Sequence, residues 1–127
     1  MKLDILFTIH AIITLAAAFV LFLSPALIPQ TVNIHLDKSA YLLSYLLGAA
    51  ELSFAVLSFG SRTLSDAKSI RLVCRTFIIF HMATATGEAL ALLQGAYWEL
   101  LVNIALRIVI AFLFYFYGWR KVNETTI

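Results

Sequence analysis

The chain has 127 residues, of which 62% are hydrophobic and only 13% charged, with a formal net charge of +2. Soluble domains average about 45–50% apolar and about 25% charged residues, so a soluble globular domain is excluded as the class. A positive charge so small and so dispersed also argues against a nucleic-acid surface.

The first apolar run, Ile5–Leu23, ends at Ser24-Pro25. It is longer than the usual signal-peptide core of about 7–15 residues, Asp4 sits beside Lys2 in front of it, and no small-x-small cleavage site follows. The run therefore reads as a retained membrane span. The second, Ala40–Phe59, is closed by Gly60 and Ser61-Arg62-Thr63; the third, Leu72–Leu93, by Gln94-Gly95; the fourth, Tyr97–Tyr117, by Gly118 and Arg120-Lys121. Each is close to the ~20 residues a helix needs to cross ~30 Å of hydrocarbon. Four long runs do not suit a β-barrel, whose segments are shorter and alternate. The expected fold is thus all-α, a single four-helix transmembrane domain over residues 1–127, with helices at 4–24, 39–60, 70–94 and 97–119.

Lys2, Arg62, Lys68, Arg71, Arg120 and Lys121 fall on the side shared by both termini, against Lys38 alone opposite. The positive-inside rule then puts both termini in the cytoplasm. Tyr97-Trp98 and Tyr115, Tyr117 and Trp119 sit where interfacial aromatic belts are expected. The longest connection, Ser24–Ser39, is rich in apolar residues (Ile28, Val32, Ile34). Two readings suit it: a lid over the mouth of the bundle, or a segment lying in the headgroups.

Ionisable side chains in hydrocarbon are costly and mark functional candidates. Glu51, His81 and Arg107 lie near the bilayer midplane, Glu88 about two turns further out and His10 one to two turns further in. At about 100° per residue, each span has one face where polar and small residues collect. These faces are Phe7, His10, Thr14 and Ala17 on the first span, and Ser44, Gly48, Glu51, Ala55 and Ser58 on the second. On the third they are Cys74, Phe77, His81, Thr84 and Glu88, and on the fourth Ala96, Glu99, Asn103, Arg107 and Phe114. Such faces turn inward in lipid. The expected site is therefore a buried cluster of Glu51, Glu88, Arg107, His81 and Asn103, with Ser44, Gly48, Thr84 and His10 as substrate-binding residues. Glu99, beside Trp98, is expected at the interface.

One arginine against two carboxylates implies a shared or relayed proton. The favoured reading is a membrane-embedded acid–base enzyme for a lipophilic small molecule, opening an epoxide or cyclising or isomerising a terpenoid or polyketide. One glutamate acts as base and the other as acid, Arg107 holds both, Asn103 orients water and His81 relays a proton. Glu51 is preferred as the base because its stripe of Gly48, Ala55 and serines leaves room for substrate. This group resembles, in chemistry only, the acid–arginine–acid site of limonene-epoxide-type hydrolases, whose asparagine positions water. No metal or cofactor is required; the single cysteine, Cys74, also excludes a disulfide within the chain and a cysteine zinc cluster.

The alternatives are a small proton-coupled transporter, an accessory subunit of a membrane complex, and a bundle binding haem through His10 and His81. The transporter reading resembles the small multidrug-resistance exporters, which work as dimers, so a second copy of the chain joins lipids and a lipophilic small molecule as an expected partner. The span plan and the stretches Leu46–Phe59 and Arg71–Gln94 also resemble small four-helix DoxX-like membrane proteins. That resemblance covers the last three spans, implies a fold and assigns no site residue.

Overall fold

A computed structural model describes residues 2–120 and 122 of the chain. Lys121, counted above among the basic flanks, lies outside them, as does the side chain of Trp119. Among the described residues the protein is all-helical, and four helices are long and apolar enough to cross a membrane.

Helix α1, Leu3–Leu23, runs until Ser24, whose backbone (φ −141°, ψ 72°) has left the helical region that a following proline disfavours. A single turn, α2 (Leu27–Gln30), lies inside the long connection. The chain then bends at Asn33, which takes a left-handed φ of 58°, a conformation asparagine tolerates better than most residues. A 3-10 turn at Lys38–Ala40 leads into α3, Tyr41–Ser61.

Helix α4, Ala67–Leu93, begins three residues before the expected 70 because Asp66 caps it, accepting from the backbone N–H groups of Lys68 and Ser69. Hydrogen bonds from Ser69, the side chain first, hold the Asp66 carboxyl below its ordinary range. At the other end Gly95 takes φ 97°, and Ala96 N–H donates to Ala91 C=O at 3.0 Å while Gly95 N–H donates to Leu92 C=O at 3.1 Å. This closure needs a left-handed residue, hence the glycine. The reversal consumes Tyr97, Trp98 and Glu99, so α5 starts at Leu100, not 97. It runs to Leu113 and continues as a wider π-helical stretch, Phe114–Arg120.

Helix α1 lies along α3, and α4 lies along α5. In lipid there is little hydrophobic drive between helices, so close approach and polar contacts do the holding. Gly48 illustrates the first: a Cβ there would stand 3.2 Å from Leu21 Cβ. The two pairs converge at the end carrying the termini, where Leu6, Phe7, Val73, Cys74, Phe77 and Phe114 form a buried core. Gly118 also packs there, with no room for a Cβ beside the Cys74 side chain. Large apolar residues such as Ile12, Leu46, Leu72, Leu101 and Phe112 lie exposed along the spans, as a surface facing acyl chains requires.

Candidate functional site

Away from that core, toward the long connection, the two helix pairs enclose a cavity of about 660 Å³. Its walls come from Leu43, Ser44 and Leu47 of α3, Thr84 and Glu88 of α4, and a face of α5 carrying Asn103 and Arg107. The long connection covers it: Ile28, Pro29, Val32 and Ile34 all line the space. These contacts suit the lid reading of the segment, while Leu27 and Ile34 also present apolar surface outward. Two hydrogen bonds hold it. Ser44 Oγ donates to Pro25 C=O at 2.7 Å, and Asn33 Nδ2 donates to Glu99 Oε1 at 2.6 Å.

The polar floor is built from spacing. Asn103 and Arg107 lie one turn, about 6 Å, apart on one face of α5, and Glu99, the residue just before the helix, precedes them at the same four-residue spacing. Glu88 on α4 faces Asn103 and Arg107. Its Oε1 accepts from Asn103 Nδ2 at 2.6 Å and from Arg107 Nε at 3.1 Å. Its Oε2 is buried with no partner among the described residues. Arg107 also lies over the Phe80 ring, 5.8 Å from its centroid, a geometry that favours a cation over an aromatic face. An ion pair this enclosed keeps much of its Coulomb attraction, because little water screens it.

Glu51 is buried and feels the charge of Arg107, but it does not line the cavity. The reason for preferring it, free space beside Gly48 for a substrate, does not hold: Leu21 and Phe22 of α1 occupy that space. Ser44 and Thr84 do line the cavity, while Thr84 Oγ1 spends its proton on Phe80 C=O at 2.8 Å. Asn103 uses its amide N–H on Glu88, so it positions that carboxylate.

The two histidines form a second polar group, separate from the cavity. His10 Nδ1 lies 2.6 Å from Ser58 Oγ, and His10 Nε2 lies 3.0 Å from His81 Nε2. One imidazole must donate in that contact and the other accept. Phe77 and Phe114 pack on the His10 ring at centroid distances of 4.6 and 5.1 Å. With the imidazoles in direct contact, there is no gap between them for an iron with two axial histidines. His81 Nδ1 is buried and unpartnered among the described residues.

The sequence expectation was one cluster, whereas the structure holds these residues in two groups, with Ala96 and Glu99 lying before α5. Sequence reasoning did not place Glu99 in the site, although the four-residue spacing put it on the Asn103–Arg107 stripe. Asn33 carried no signal, since its partner is 66 positions away. No protein-family model matches the chain, and neither curated proteins nor solved structures give a match. The likeness to DoxX-like proteins therefore rests on span pattern alone.

Proposed function

We propose that this chain is an integral membrane protein that binds a lipophilic small molecule in the lid-covered cavity and performs acid–base chemistry on it. One observation carries the reading: Glu88 has one oxygen fixed by Asn103 and Arg107, and its other oxygen is buried without a partner in a protein whose cavity is otherwise largely apolar. A carboxylate so held cannot relax toward water, and its free oxygen is an acceptor on the cavity wall that can take up a proton. Arg107 stabilises the ionised form and can polarise an oxygen of the substrate, as an arginine does at developing anionic charge. Opening an epoxide, or moving a proton along a terpenoid or polyketide chain, needs this pair of actions. In this reading Glu88 is the base, and Asn103 and Arg107 position it.

We further propose that the termini face the cytoplasm, because Lys2, Arg62, Lys68, Arg71 and Arg120 cluster at that end. The experiment is reconstitution in lipid nanodiscs with a panel of lipophilic epoxides and polyenes, followed by mass spectrometry of the products. Conversion by the native chain and its loss in Glu88→Gln supports the reading. A panel that neither binds nor reacts, with no cavity residue labelled by a photoreactive member, overturns it.

A second reading, proton-coupled transport, has its own support: the Ser58–His10–His81 chain extends hydrogen-bonding groups beyond the cavity floor toward the end carrying the termini. Flux assays in proteoliposomes with an imposed pH gradient separate it from catalysis.

A further inference from the structure

We infer that the ligand of this cavity carries a protonated amine at the end of an apolar body, with the ammonium held between Glu99 and the free oxygen of Glu88. The inference rests on the cavity reading above and names the class of molecule that fills it. It starts from charge. The ionisable residues lining the cavity are Glu88, Glu99 and Arg107, two carboxylates against one guanidinium. Arg107 is paired with Glu88 at 3.1 Å. Among the described residues Glu99 receives only the neutral amide of Asn33, at 2.6 Å. Among the described residues one carboxylate is thus left without a counter-charge, and its Oε2 is buried.

Hydrogen bonding points the same way. The orphaned buried atoms on the wall are Glu88 Oε2 and Glu99 Oε2, and both are acceptors. A carboxylate or phosphate on the ligand would add a third negative group and satisfy neither. An ether, ketone or epoxide oxygen offers no donor. An ammonium supplies three donors and the missing charge, and charge-assisted bonds of this type are the strong ones. Trp98, which lines the cavity next to Glu99, adds an aromatic face of the kind that attracts cations. The remaining wall, from Leu21 and Leu43 to Leu100 and Leu106, suits a hydrocarbon body.

The test uses the full chain in lipid nanodiscs, with empty nanodiscs subtracted, and compares n-octylamine, 1-octanol and octanoate at neutral pH. The chain lengths match, and the empty-nanodisc signal corrects for the different membrane partitioning of the three head groups. Octylamine should bind roughly ten- to a hundredfold more tightly than octanol, the range expected for hydrogen bonds to charged groups, and octanoate should bind weakest. Glu99→Gln, which keeps the Asn33 contact and removes the charge, should erase most of that preference. Octanol or octanoate matching the amine would overturn the inference while leaving the cavity reading in place. Failure of all three probes to bind overturns both. Tight binding of the amine in a chain that converts no panel compound supports the inference and removes the catalytic reading.

Discussion

The imidazoles of His10 on α1 and His81 on α4 meet Nε2 to Nε2 at 3.0 Å, a buried polar contact from one helix pair to the other. Replacing either ring with phenylalanine strands the partner's nitrogen in a buried site. The expected cost is about 1–3 kcal/mol in a soluble setting, and less in lipid because the unfolded state finds other partners. In a double-mutant cycle followed by unfolding in detergent or lipid, His10→Phe and His81→Phe should be coupled by about 0.6 kcal/mol or more. Strictly additive losses would show that the contact contributes nothing to holding the pairs together.

Glu88→Gln keeps the volume of the side chain and the acceptor for Asn103 and Arg107, but it cannot take up a proton. Turnover of an accepted substrate should drop by about 10²–10⁴-fold, the usual contribution of a general base, with the bundle still folded. Glu51→Gln should reduce turnover far less, because Glu51 does not line the cavity. If Glu51→Gln is the inactive protein and Glu88→Gln the active one, the assignment of the base is reversed.

The lid is held by Asn33 Nδ2 on Glu99 Oε1 at 2.6 Å. Asn33→Gly retains the left-handed backbone and removes only the side-chain bond. The closed lid should then open more often, by roughly tenfold for a bond of this type. A cysteine placed at Thr84, inside the cavity, reports it through its rate of modification by a water-soluble maleimide. An unchanged rate means the bond does not hold the lid shut.

Gly118 sits against the Cys74 side chain, which is fully buried. Gly118→Ala should destabilise the end of the bundle near the termini by about 1–3 kcal/mol, as overpacking does. Adding Cys74→Ala removes the sulfur and should recover part of the loss in the same unfolding assay. Equal stability of the native and Gly118→Ala chains would mean the π-helical turn is not packed this closely.

Orientation is checked by single cysteines at Gln30, in the lid segment, and Ser65, in the α3–α4 connection, both exposed. Native Cys74 is buried and should stay silent. An impermeant thiol reagent applied to intact cells should modify position 30 and spare position 65. Both reacting from outside would refute the four-span topology, and the reverse pattern would refute the orientation.

Much of this was legible in the sequence because each signal is local. Run length gave four long helices and most of their bounds to within a few residues, and the 3.6-residue period placed Glu51, His81, Glu88 and Arg107 on the polar faces of their own helices. The departures at the ends were local as well: the Asp66 cap begins α4 early, and the Gly95 reversal delays α5. Periodicity is silent, however, about how one helix is rotated and shifted against another. Only the tertiary structure pairs α1 with α3 and α4 with α5, and that pairing separates the residues into two groups. Because α1 presses onto Gly48, the small stripe of α3 becomes a helix contact and Glu51 is sealed behind it. Because α4 and α5 form a hairpin, Glu88 meets Asn103 and Arg107 at the cavity wall, while His81 is carried to His10, whose other ring nitrogen meets Ser58. The lid depends on contacts such as Asn33 with Glu99, which join positions far apart in the chain and leave no periodic trace in it.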